Sequence, residues 1–106
     1  MNDTVLEAIR GDHNYFDVDV TGDIDAADTM TFRAGRTPTT LTTIVKTRGA
    51  GITDLDLPNG KVQVQLAPAD TSGLADDEAL LYEVVLHKAD VNMDTTVAKG
   101  VMRLTS

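Results

Sequence analysis

The chain has 106 residues, with 17 acidic against 9 basic side chains, a net charge of −8, and neither cysteine nor tryptophan. That length fits one domain. The charge argues against binding to nucleic acid or to an anionic membrane surface, both of which call for basic residues, and the lack of cysteine excludes thiol catalysis, disulfides and cysteine-type zinc sites. Hydrophobic residues make up 42% of the chain but aromatics 4%, so the core must be aliphatic. The longest apolar run is far short of a membrane span. The start Met1-Asn2-Asp3 is acidic where a secretory leader is basic, so no leader is expected.

Thr4–Arg10 (TVLEAIR) suits a turn and a half of helix or a strand buried on both faces. We read an edge or sheet-joining strand with Ile9 in the core, ended by Gly11-Asp12. Tyr15–Val20 alternates, with Phe16, Val18 and Val20 on one face and Tyr15, Asp17 and Asp19 on the other, the period of a half-buried antiparallel strand. Its acidic face discourages edge-to-edge pairing. After the acidic loop Asp23–Asp28, Thr29–Ala34 alternates again with Met30, Phe32 and Ala34 inward. Leu41–Thr47 is β-branched and reads as a strand, Arg48–Gly51 as a hairpin turn, and Ile52–Leu57 as a weaker strand whose unequal apolar spacing implies a bulge. Pro58-Asn59-Gly60 makes a tight turn.

Gly60–Ala67 matches period two, with Val62, Val64 and Leu66 on one face, and Pro68 stops it. In the polar corner that follows, Asp70 or Thr71 could cap a single helical turn, with Leu74 tucked beneath. Ala79–Lys88 fits helix or strand. Its adjacent valines, its tyrosine and the surrounding hairpin pattern favour strand, with Leu80, Tyr82, Val84 and Leu86 on one face. Thr95–Thr105 is the last strand, with Ala98, Met102 and Leu104 inward and Gly100 marking a bulge or a close backbone approach. The expectation is all-β: one domain over residues 1–106, an antiparallel β-sandwich of about seven or eight short strands with immunoglobulin-like connections.

Chemistry-bearing patterns are few. His13 and His87 read as surface residues, and no nucleophile elbow, phosphate loop, dinucleotide fingerprint or His-Glu-x-x-His pair is present. Arg48-Gly49-Ala50-Gly51 lacks the strand-to-helix context of a phosphate cradle. Asp17 and Asp19 share a strand face about 7 Å apart, a spacing that any such acidic pair on a solvated strand has. Asp23, Asp25 and Asp28, like Asp54 and Asp56 or Asp76, Asp77 and Glu78, offer oxygen ligands of the kind calcium takes, without the EF-hand spacing. We therefore expect no enzyme, no cofactor and no metal, with Asp23, Asp25 and Asp28 the first candidates for a metal.

Several stretches carry a resemblance: Arg10-Gly11-Asp12 leading to Tyr15, Lys46-Thr47 before Gly51-Ile52, Gly60-Lys61-Val62-Gln63-Val64-Gln65-Leu66 running into Ala69-Asp70-Thr71-Ser72-Gly73-Leu74, then Tyr82-Glu83-Val84 and Thr95-Thr96-Val97-Ala98-Lys99-Gly100. Their order resembles the small immunoglobulin-like β-sandwich proteins of tailed bacteriophage particles, including the N-terminal domains of baseplate and tail-fibre-associated proteins. The acidic Asp23–Asp28 stretch and the polar Arg36–Thr40 segment depart from that pattern. The resemblance implies a virion component without enzymatic activity, made in the host cytoplasm, whose partners are other virion proteins or further copies of itself. It would be a head decoration, connector or tail/baseplate accessory subunit. Leu6, Leu81, Val85, Val97 and Val101, apolar but not needed for the core, are the candidate contact residues, unless both faces are covered internally. The alternative is a carbohydrate- or calcium-binding sandwich module.

Overall fold

The alternating stretches of the sequence become strands. The structure, a computed structural model, describes residues 2–3, 6–20, 24–25, 27–37, 39–74 and 78–105. The strands are β1 (Asn2–Asp3), β2 (Leu6–Ile9), β3 (Asn14–Asp19), β4 (Thr29–Gly35), β5 (Ile44–Arg48), β6 (Gly51–Asp56), β7 (Lys61–Leu66), β8 (Ala79–Lys88) and β9 (Met93–Thr105). A 3-10 turn covers Leu57–Asn59, ended by Gly60 at φ 70°, and one short helix, α1, covers Pro68–Thr71. The fold is all-β.

The strands form one hydrogen-bonded path in the order β1-β9-β8-β4-β5-β6-β7-β3, with β2 also on β9. β8 pairs antiparallel with β4 and β9, and β7 pairs antiparallel with β3 and β6. β1 and β2 run parallel to β9, and β5 runs parallel to β6. The sheet is therefore mixed, which corrects the expectation of a wholly antiparallel one. Most of the parallel pairing comes from β1 and β2 on β9, and the Arg48–Gly51 stretch adds the pair β5–β6. Instead of a hairpin that stretch is a corner: Gly49 and Gly51 lie at φ 86° and 104°, conformations that side chains disfavour. They turn the chain so that Thr47 and Arg48 come to lie beside Gly51 and Ile52 in the same direction. The path then curls until its far ends, β2 and β3, are joined by the short turn at Arg10–His13, so the sheet nearly closes.

The inner faces meet in one aliphatic cluster. Met30, Phe32 and Ala34 of β4, Val62, Val64 and Leu66 of β7, Leu80, Tyr82, Val84 and Leu86 of β8, and Met102 and Leu104 of β9 are all buried there. Phe32 stacks on Tyr82 with ring centroids 5.9 Å apart. Ile9, expected in this core, is 51% exposed, and Ala8 is fully buried in its place. The register explains the exchange: Ala8 pairs with Leu104 and Leu6 with Met102, and partners across a ladder share a face. The expected bulge in β6 is present between Asp54 and Asp56, and it leaves Leu55 half exposed. In β9 the irregularity falls at Val97, because Val84 faces Ala98 and Val85 faces Thr96, while Gly100 pairs regularly with Tyr82.

Two polar side chains tie the connections to this framework. Buried Asn14 accepts from the Ile9 amide at 2.8 Å and donates to the carbonyls of Ile9 and Asp12 at 3.0 and 3.1 Å, closing the β2–β3 turn. Thr71 is no helix cap. Its hydroxyl accepts from the Gly11 amide at 2.9 Å, while Asp70 at the third helical position accepts from the Ala67 amide at 2.7 Å. Leu66→Ala is expected to cost about 2–5 kcal/mol, as for a buried leucine elsewhere, and Ile9→Ala to stay within about 0.5 kcal/mol of wild type; urea unfolding of both variants checks the core assignment.

Candidate functional site

The acidic loop before β4 is brought to the far end of β8 by strand pairing. Thr29 lies opposite His87, so Asp28 comes to rest beside Lys88 and Ala89. The Asp28 side chain is buried. One carboxylate oxygen accepts from the Ala89 amide at 2.9 Å, and the other accepts from the Asp25 amide at 3.0 Å and meets Lys88 Nζ at 2.8 Å. Lys88 Nζ also stands 4.0 Å from Asp25 Oδ2. The hydrogen bond from Lys88, helped by the two amides, holds the Asp28 carboxyl down at about 2 against its ordinary 3.8. The same bond raises Lys88 above the usual lysine value.

Arg48 binds the loop from the other side. Its Nη1 donates to the carbonyls of Asp25 and Asp28 at 2.8 and 2.7 Å, and Nε and Nη2 donate to the Asp54 carboxylate at 2.8 and 3.1 Å. The bidentate pair lowers Asp54 and raises Arg48.

Of the metal candidates read from the sequence, Asp25 and Asp28 are brought together, and Asp23 lies outside the described residues. Asp90 joins them from the β8–β9 turn: ligand oxygens of Asp25, Asp28 and Asp90 lie within 4.8 Å of one another. These are the residues that could hold a cation. Calcium asks for six to eight oxygens, whereas both oxygens of Asp28 are already engaged by two amides and an ammonium. Lys88 thus does internally what a bound cation would do, and the arrangement works as a clamp on the loop. Asp54 serves Arg48, and Asp76 and Asp77 lie outside the described residues. Asp90 and Lys88 were not singled out in the sequence; the pairing of β4 with β8 is the signal that would have found them.

The remaining candidates are scattered. Asp17 and Asp19 are exposed, Asp17 accepting from Gln63 Nε2 at 3.1 Å and Asp19 lying 3.9 Å from Lys61 Nζ. His13 is exposed and stacks on Tyr15 at 6.5 Å. His87 Nδ1 meets Asp94 Oδ1 at 2.6 Å across the β8–β9 ladder. The five contact candidates divide. Leu81 and Val101 face each other on the outer side of β8 and β9, with Val85 further along the same face. Leu81 and Val101, with Leu41, border a shallow groove of about 350 Å³, and Val85 does not line it. Leu6 and Val97 turn inward instead, to a cleft between β3 and β9. Comparison with protein-family models and with curated proteins gives no match.

The ionised Asp28 stabilises the fold above the ordinary carboxylate pKa, and that contribution is lost as pH falls toward 2. Asp28→Asn should therefore lower Tm at pH 7 and flatten its fall between pH 4 and 2, whereas Asp17→Asn should leave both nearly unchanged; thermal melts across that range distinguish the two.

Proposed function

We propose that this chain is an immunoglobulin-like sandwich acting as a non-enzymatic structural subunit of a tailed bacteriophage particle, working through protein–protein contact. Two layers, β2-β9-β8-β4-β5 and β6-β7-β3, can be traced in the strand order. With β3, β4, β7 and β8 taken as the second, third, fifth and sixth strands of an immunoglobulin domain, the neighbours β4–β8 and β3–β7 support this reading, since in that fold the third and sixth strands lie together in one sheet and the second and fifth in the other. The resemblance of the Gly60–Leu74 and Thr95–Gly100 stretches to such virion proteins supports the same reading.

The observation that carries the assembly role is the outer face of β8 and β9. Leu81 and Val101 are paired on a side that the core does not need, with Leu41 beside them. Apolar side chains in such a place favour a partner surface, another virion protein or a further copy. Charged pairs along the same face, Arg33 with Glu83 at 2.9 Å among them, give that contact a polar rim. Leu81→Asp with Val101→Lys should leave Tm close to wild type and abolish co-sedimentation of the tagged protein with assembled particles; a wild-type protein that never joins a particle overturns the proposal.

A calcium-binding module is the second reading, favoured by the convergence of Asp25, Asp28 and Asp90. On the clamp argument, Tm does not move with millimolar calcium or with chelator. A calcium-dependent rise in Tm would establish the second reading through ligand linkage.

A further inference from the structure

β3 is paired on one side alone: it ends the strand order, and no described strand lies on its other flank. The phase of its hydrogen bonds follows from the Val20 amide, which donates to the Gly60 carbonyl at 2.8 Å. In an antiparallel ladder every second residue bonds to the same neighbour. Asn14, Phe16 and Val18 therefore bond to β7, and the amides and carbonyls of Tyr15, Asp17 and Asp19 point to the open side. Behind that edge lies a cleft of about 100 Å³, bordered by Leu6, Phe16, Val18, Val84, Val97 and Ala98. It has room for one apolar side chain, being smaller than the roughly 150 Å³ cavity that admits benzene. Phe16 and Val18 on one wall and Val97 and Ala98 on the other are partly buried hydrophobics packed against the core.

A free row of backbone groups beside an apolar slot is the arrangement used in β-strand addition. Charge selects the occupant. Asp17 and Asp19 are exposed on the face away from the core. Antiparallel pairing of two β3 edges about Asp17 or Val18 sets aspartate against aspartate, which is destabilising. An incoming strand with lysine or arginine at those positions gains ion pairs instead. We propose that β3 accepts an extended segment of a partner protein in which basic and apolar residues alternate, the basic ones facing Asp17 and Asp19 and an apolar one entering the cleft. This edge is separate from the outer β8–β9 face and does not depend on it.

The probe is an N-acetylated, C-amidated heptapeptide, Lys-Val-Lys-Val-Lys-Val-Lys, added to the full chain with amide exchange and affinity followed by NMR. The amides of Tyr15, Asp17 and Asp19 should exchange rapidly in the free protein and become protected on titration. A peptide of the same composition in block order, and one N-methylated at every residue, should each bind about tenfold more weakly or worse, the first because its basic and apolar side chains no longer fall on opposite faces, the second because the edge hydrogen bonds go unmade. Asp17→Pro removes an edge amide without touching the β3–β7 ladder and should weaken binding to a similar degree. Asp17→Lys with Asp19→Lys should transfer preference to the Glu-Val alternating peptide. Equal binding of the block or N-methylated peptide, no saturable binding of the alternating peptide, or protection of those three amides in the free monomer would overturn the proposal. None of these results bears on the outer β8–β9 face.

Discussion

Arg48 stands at the corner where β5 passes into β6, and much of the structure depends on that junction. Its guanidinium bonds at once to the Asp25 and Asp28 carbonyls and to the Asp54 carboxylate. A planar fork with five donors can satisfy these three residues together, which a lysine ammonium on its flexible stem cannot reproduce. The loop so held is the one that delivers Asp28 to Lys88. The corner, the acidic loop and the end of β8 are therefore one connected unit, and two loop carbonyls would lose partners if the arginine were shortened.

Much of the strand layout was legible from alternation. Val62, Val64 and Leu66, and Leu80, Tyr82, Val84 and Leu86, are buried where period two placed them, because a strand with one buried face leaves a local imprint. What was not legible depends on contacts distant in sequence. The four residues Leu6–Ile9 read equally well in either phase, and only the parallel register on β9 puts Ala8 inside and Ile9 outside. The corner at Arg48–Gly51 looks like a hairpin turn locally, since glycine marks any reversal or change of direction; whether the next strand returns or crosses is settled by packing. The acidic loop showed its carboxylates but not their counter-ion, because Lys88 lies some 60 positions away, in the ladder partner of β4.

The surplus of acid is also distributed unevenly. Arg33, Arg36, Lys46, Arg48, Lys61 and Lys88 each meet a carboxylate within 4.0 Å, which engages six of the chain's nine basic residues. The exposed pairs among these add little stability individually. Their effect is rather to use up positive charge, so that the excess of −8 is carried by carboxylates such as Asp17 on the open strand, whose hydrogen bond comes from the neutral Gln63. The field around that edge is consequently negative, and it biases encounters toward basic surfaces before any contact is made.

The parallel docking of β2 on β9 has a mechanical meaning. The chain enters β2 at Leu6 and leaves β9 at Thr105, and the two strands run in the same direction. Tension applied between those points slides the strands along their own axes in opposite senses. All the hydrogen bonds of the pair are then loaded together in shear, where an antiparallel hairpin pulled from its open end would break them one at a time. Rupture under load is governed by the unfolding rate, and the parallel pairs of β1 and β2 on β9 lie in the line of such a load.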